Sequence, residues 1–460
     1  VTVSSTAHSP PLARFSVFKT DTSFKPGGAL FPGYESFLAS MPAQTTKHKS
    51  FQKLYRPLAQ QVATALIEIF VNRRYADRVL ERLFRDNKKL GARDRRFIAE
   101  SVYEIVRWWR LIWAAIGSEP PKEFRDADAW RVLGAWLIIE GQDLPEWEEF
   151  KRLDRARILA QHQAALKAPH LCASVPDWLY DLGRAEMGER WDLYLEELNK
   201  QAPVVLRANR LKTTREELKR SLAEEGIETA FAPATEDGLV LNERRNIFTA
   251  KAFQLGLFEV QDGASQQIAP LLALQPGLRV IDACAGAGGK TLHIAALLKN
   301  KGKIIAMDVG EKKLDELRRR ASRAGADVIE TKLIDSTKVV KRLEKSADRV
   351  LLDVPCSGLG VLRRNPDAKW QLSMEEVSRL RELQAEILRD YSAMVKPGGR
   401  LVYATCSCLP SENEKQVERF LEEQNRLGKP RWDLVAERKF APGENGYDGF
   451  YAAAIERRPE

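Results

Sequence analysis

Sulfur and imidazole are scarce in this chain: five cysteines and five histidines in 460 residues. The cysteines (172, 284, 356, 406 and 408) form no paired CxxC framework. Cys406 and Cys408 alone cannot complete a four-ligand zinc site. No metal is therefore expected, and the pattern suits a reducing compartment in which thiols are used chemically. His162 and His170 stand isolated, and neither is read as a ligand. No apolar run approaches the roughly 18 residues of a membrane span, and no secretory signal is evident, so a cytoplasmic location is expected. An acidic excess is absent as well. Lysine plus arginine number 73 against 64 for aspartate plus glutamate, a net charge of +9, which suits a polyanionic partner.

Residues 1–50 are rich in Ser, Thr, Pro and Gly without a period and read as a disordered tail. The first methionine, Met41, falls just before the composition changes and is the expected native start. From 51 to 168 the pattern is helical. Leu58, Val62, Leu66 and Phe70 share one face, and Phe97, Ile98, Val102, Ile105 and Trp109 share another. The basic run from Lys88 to Arg96, with Arg107 and Arg110 beyond it, is either a solvated surface or a phosphate-contacting face. Between 173 and 258 the character becomes mixed, with strands near 204–209, 229–231 and 238–241 and a capped helix start at Thr214. This predicts a small α/β module. From 259 to 460 strands alternate with helices, the strands ending at Asp282, Asp308, Asp335, Asp353 and Cys406. Such alternation builds a parallel sheet whose carboxyl ends share one ligand-binding edge. Residues 449–455 read as a closing antiparallel strand.

The stretch from Val280 to Thr291 organises this last region. An apolar strand ends at Asp282, small residues follow (Cys284, Ala285, Gly286, Ala287, Gly288, Gly289), and a helix starts near Lys290. Unpaired backbone N–H groups at that point face whatever binds. A phosphate-binding P-loop needs glycine where Cys284 stands, and a dinucleotide fingerprint fits poorly at Thr291. A nucleoside ligand such as S-adenosylmethionine remains. Asp308 at the second strand end suits a ribose diol, and Asp335 at the third suits an adenine amino group.

A second motif, Asp353-Val354-Pro355-Cys356-Ser357-Gly358, puts a thiol at the methyl-acceptor end of the sheet. A thiol there suggests carbon as the target. Carbon 5 of a pyrimidine is a poor nucleophile until a thiolate adds to carbon 6. Thr405-Cys406 ends the adjacent strand, and two thiols at neighbouring strand ends are hard to explain as packing. These residues alone do not decide which sulfur attacks. A base inside a helix cannot present carbon 6, so the target is single-stranded or flipped out. Arg363, Arg364, Lys369 and Trp370 follow the second motif and are expected to hold phosphates and stack a base, unless they form only a surface loop.

Over roughly residues 203–457 the chain resembles the Sun/Fmu (RsmB-like) RNA cytosine-5 methyltransferase family. The likeness is carried by Asp282-Ala283-Cys284, Gly288-Gly289-Lys290-Thr291, the Asp353–Gly358 motif, Arg363-Arg364-Asn365-Pro366-Asp367 with Lys369-Trp370, Ala404-Thr405-Cys406-Ser407, Glu412-Asn413-Glu414 and Asp448-Gly449-Phe450. Residues 90–97 make the front similar to a NusB-like helical domain. The resemblance implies a Rossmann-like class I domain using S-adenosylmethionine, preceded by an all-helical NusB-like domain and the small α/β module. It implies that Cys406 is the nucleophile and Cys356 assists product release. Asp353 would hold the cytosine edge beside Lys290, and the cofactor would lie against residues 284–290, Asp308, Asp335 and Asp353. Small-subunit ribosomal RNA is the expected partner and a monomer the expected state. Transfer RNA, or a non-catalytic assembly role, is the alternative. Gly286-Ala287 departs from the family's Ala-Pro, which implies a looser loop, and Cys408 has no implied role.

Overall fold

The computed structural model describes residues 54–426 and 431–459. The expected tail and the proposed start at Met41 lie outside the described residues. The front of the chain is helical, as the 3.6-residue period predicts. Helices Arg56–Phe70, Ala92–Arg107, Trp109–Ile116 and Asp126–Ile139 bury one apolar cluster. Val62, Leu66, Ile98, Val102 and Ile105 are fully enclosed in it, while Leu58 and Phe70 pack at its margin. The mixed character expected from residue 173 begins only later. Helices Asp177–Met187 and Arg190–Leu198 come first, and their Leu179, Trp191 and Leu195 pack with Leu359, Leu362 and Val377 from the C-terminal part of the chain.

A four-stranded antiparallel sheet follows, built from β1 (Val205–Ala208), β2 (Thr229–Phe231), β3 (Gly238–Leu241) and β4 (Phe258–Val260) in the order β2-β3-β1-β4. Its helix, Arg215–Glu224, starts in a reciprocal cap. Thr214 accepts from the Glu217 N–H at 3.2 Å, and the Glu217 carboxylate accepts from the Thr214 N–H at 2.8 Å.

Among the described residues, the larger sheet has seven strands. These are β5 (Arg279–Asp282), β6 (Lys303–Asp308), β7 (Ile329–Leu333), β8 (Ala347–Asp353), β9 (Val395–Thr405), β10 (Trp432–Phe440) and β11 (Phe450–Arg457). Their order is β10-β11-β9-β8-β5-β6-β7, with β5 to β9 parallel and β11 antiparallel to both its neighbours. The apolar runs that predicted the parallel strands are buried on both faces: Ile281, Ile305, Val350, Leu351 and Leu401 are enclosed. The exposed, charged β10 carries no such run and is not anticipated from the sequence. The strand order reverses between β5 and β8, so the turns after those two strands open a crevice at the carboxyl edge, where open α/β sheets bind ligands.

Candidate functional site

The turn after β5 gives the first wall of the crevice. Gly288 has φ +87°, and a Cβ there would stand 2.6 Å from Leu317 Cγ, so only glycine fits this turn. On the opposite side the loop is open, since a Cβ at Gly286 or Gly289 would meet nothing within 4 Å. Main chain, not side chain, therefore faces the crevice. Behind it, Arg320 donates to the Ala287 carbonyl at 2.8 Å and pairs with Glu259 of β4. Arg207 of β1 donates to the Gly289 carbonyl at 2.9 Å. The small sheet thus braces the loop, a role that local sequence does not reveal.

Asp308, at the end of β6, is buried and accepts from the Gly286 N–H (2.9 Å) and the Gly310 N–H (2.8 Å). Asp335 lies two residues past the end of β7 and is exposed, its carboxylate accepting from Ser336 Oγ at 2.9 Å. An open glycine face flanked by these strand-end carboxylates suits a nucleoside carrying a ribose diol, so the residues present fit S-adenosylmethionine. Cys284, in the same turn, has its thiol pKa pushed far up by burial and by the carboxylates of Asp282, Asp353 and Asp308, so it stays protonated. Asp282 is enclosed and accepts from Thr291 Oγ1 at 2.7 Å. Burial, with Asp353 nearby, raises its pKa to about 7 against the opposing pull of Thr291 and Lys290.

The turns after β8 and β9 give the second wall. Lys290 Nζ donates to Asp353 Oδ2 at 2.7 Å and lies 5.4 Å from the centre of the Phe450 ring. Burial works against its ammonium, but Asp353, Cys406 and Asp282 outweigh it and hold its pKa above the ordinary lysine value. Cys356 Sγ and Cys406 Sγ stand 3.3 Å apart, both partly accessible. The Cys356 pKa is driven well up by its hydrogen bond to Cys406 and by burial. Cys408 and Cys172 are enclosed thiols whose pKa values rise mainly through burial.

One buried carboxylate joins the two thiol-bearing turns. Glu412 is fully enclosed, and its Oε1 accepts from the Ser357 N–H and from Gln384 Nε2, both at 2.9 Å. Its Oε2 accepts from Ser357 Oγ at 2.5 Å and from Ser407 Oγ. Ser357 directly follows Cys356 and Ser407 directly follows Cys406, so Glu412 fixes one turn against the other. Asn413 adds a second tie, accepting from Thr405 Oγ1 at 2.5 Å and donating to the Ser407 carbonyl at 3.0 Å. Sequence reasoning assigned Glu412, Ser357 and Ser407 no role. The repeated Cys-Ser pair was the available signal. Gly360 completes the stitch, donating to the Cys406 carbonyl at 2.9 Å. A Cβ there would stand 2.1 Å from the Gly449 carbonyl oxygen.

The expected RNA contacts at Arg363, Arg364, Lys369 and Trp370 need correction. All four are spent inside the molecule. Arg363 is buried and donates to the carbonyls of Gly446, Tyr447 and Gln201. Arg364 pairs with Asp262 and Asp448. Lys369 is 1% exposed and donates to the Arg107 carbonyl at 2.8 Å. Trp370 packs against the helical cluster and donates to the Val106 carbonyl at 2.7 Å. This segment buckles the helical domain to the catalytic sheet. Cations next to a candidate site looked like a phosphate grip because sequence carries no record of which carbonyls lie opposite. Arg107 and Arg110 are absorbed similarly, by Glu104 and Asp177, whereas Lys88, Lys89, Arg93 and Arg96 remain exposed.

Among the described residues, no helix is long and apolar enough to cross a membrane, and no cluster of three or more His, Cys, Asp or Glu side chains is arranged to hold a metal. A family model described as 16S rRNA methyltransferase RsmB/F matches residues 269–456, and one described as the ferredoxin-like domain of the same proteins matches 175–248. The chain is 33% identical over 404 residues to the "Probable ribosomal RNA small subunit methyltransferase B" of Synechocystis sp., covering 79% of this chain and 89% of that one. It is 33% identical over 307 residues to the ribosomal RNA small subunit methyltransferase B of Pseudomonas syringae pv. tomato, covering 64% and 67%. The solved structure of PH0851 superposes with a TM-score of 0.74 at 26% identity, covering 88% of this chain and all of that one.

Proposed function

Because this chain belongs to the RsmB/F family of S-adenosylmethionine-dependent 16S rRNA methyltransferases, we propose that it methylates carbon 5 of a cytosine in small-subunit ribosomal RNA through a transient bond between Cys406 and carbon 6. The observation that carries this reading is the pair of sulfurs 3.3 Å apart at adjacent strand ends, beside the Lys290–Asp353 pair. A binding protein needs neither thiol.

Cys406 Sγ lies 3.3 Å from Cys356 Sγ, and the Lys290 ammonium is among the charges near it. Positive charge beside a cysteine favours the thiolate, which is the attacking form. Addition of that thiolate to carbon 6 shifts the ring electrons toward carbon 5 and makes it nucleophilic. The open glycine face and Asp308 would hold S-adenosylmethionine, whose sulfonium would supply an electrophilic methyl group for that carbon and leave as the neutral thioether. Asp353, fixed by Lys290, holds the amidine edge of the base. Loss of the carbon 5 proton to a base then restores the double bond, and Cys406 leaves as the thiolate. Cys356, adjacent to the departing sulfur, assists that release.

Cys406→Ala is expected to lose methyl transfer while still binding cofactor. Cys356→Ala is expected to accumulate a protein–RNA adduct that survives denaturant. Adduct formation by Cys406→Ala instead would exchange the two roles, and full activity in Cys406→Ala would overturn the mechanism.

A further inference from the structure

One crevice lined by described residues is not used by the chemistry just described. It measures about 310 Å³ and runs between the helical domain and the turn that carries Cys356. Tyr75, Asp77 and Arg78 form one wall, where the helix Ala76–Asp86 begins, and Ser357, Gly358 and Asn365 contribute to the other. The walls are pinned together at the base, since the Ala76 N–H donates to the buried Asp367 carboxylate at 2.9 Å. The crevice therefore belongs to the docked arrangement of the two domains and to neither alone.

Its contents point to a nucleobase more than to a phosphate. Tyr75, which lines the crevice, is an aromatic side chain that is 56% exposed. Arg78 already pairs with Glu81 at 3.0 Å and stands next to Asp77, so no uncompensated positive charge awaits an anion. Asn365 and Asp77, both lining the crevice, instead carry side chains that can hydrogen-bond a base edge, and the volume admits one planar ring system. Stacking on an aromatic side chain with hydrogen bonds to the edge is how single-stranded RNA is held. Ser357 and Gly358 of the crevice wall directly follow Cys356 in the turn that the proposed reaction uses. Enzymes that act on an extruded base read context through its immediate neighbours.

We propose that this crevice is a subsite for one base of the RNA adjoining the target cytosine, with Tyr75 as its stacking platform. The proposal rests on the RNA-methylating reading above. It assigns the helical domain a direct part in choosing the sequence context.

The test uses the full chain and a short single-stranded RNA that the wild-type protein methylates, alongside the same RNA made abasic at each neighbour of the target in turn. Tyr75→Ala is expected to weaken binding of the intact RNA about 5- to 150-fold, the range of one lost base stack, with cofactor affinity unchanged and Tyr75→Phe close to wild type. One abasic RNA is expected to bind the wild type as weakly as the intact RNA binds Tyr75→Ala, with no further loss when the two changes are combined. If wild-type protein methylates the RNA and Tyr75→Ala binds it equally well, or if the two losses simply add, the subsite is refuted while the proposed reaction stands. If wild-type protein methylates no cytosine in any RNA, the proposed reaction fails and the subsite falls with it.

Discussion

Replacing Glu412 separates a structural carboxylate from a device that sets thiol geometry. Its Oε1 faces the Ser357 backbone N–H, a donor that cannot reverse, together with the Gln384 amide, while its Oε2 faces two hydroxyls, from Ser357 and Ser407, that can. Glu412→Gln therefore has one satisfactory orientation. The amide oxygen takes the place of Oε1, the NH₂ group takes the place of Oε2, and the hydroxyls rotate to accept. Its cost is the lost charge assistance, about 1–2 kcal/mol. Glu412→Ala leaves the Ser357 N–H without its acceptor in a fully enclosed site and opens a cavity between the turns. A loss of roughly 3–5 kcal/mol is expected from breaking one side of such a buried network.

The catalytic consequence should exceed the loss of folded protein. A displacement on the order of 1 Å between reacting groups costs about 100-fold in rate. Glu412→Ala, assayed well below its unfolding temperature, should thus lose 10- to 100-fold in kcat, roughly the range set by such misplacement, with cofactor affinity little changed. Urea titration gives the stability term and single-turnover methylation gives the rate. Alkylation by iodoacetamide, mapped by peptide mass, reports whether Cys406 still reacts ahead of Cys356. Wild-type kcat and an unchanged alkylation pattern in Glu412→Ala would refute the claim that this side chain sets the sulfur-to-sulfur distance.

Asp282 should make stability fall with rising pH. Its folded pKa, about 7, lies above the unfolded value of about 3.9, so its contribution is complete below the unfolded value and is lost as pH rises through 7. Asp282→Asn is expected to flatten the decline of the urea midpoint between about pH 4 and 7, and an unaltered slope would contradict the burial argument. For Lys369, burial and then the nearby Arg107 push the ammonium pKa well down. Lys369→Met should leave the salt dependence of RNA binding as in the wild type. A slope reduced by about 0.7–0.9 would restore this lysine as a phosphate contact.

Much of the catalytic domain was legible because its signals are local. Apolar runs long enough for one strand, each ending in an acid or a thiol, mark β5, β6, β8 and β9. The spacing of the small residues from Cys284 to Gly289 excludes the competing phosphate loops. The helical front was equally open, since Val62, Leu66, Ile98 and Val102 repeat at the helical period and are enclosed. β10 escaped because it is an exposed, charged edge strand that carries neither an apolar run nor alternation.

What remained hidden depends on pairs far apart in the chain. Sequence placed two thiols at strand ends, but only the order β9-β8-β5 brings Cys406 to Cys356 and Asp353 to Lys290. Arg363, Arg364, Lys369 and Trp370 have the composition of an RNA grip, and no local pattern records that carbonyls and carboxylates from residues 106 to 448 surround them. The sequence by itself determined which residues could carry the chemistry, because residue type and strand-end position are properties of short segments. The tertiary structure alone decided which charges are free to meet a substrate, because a cation's availability depends on the partners that folding brings to it.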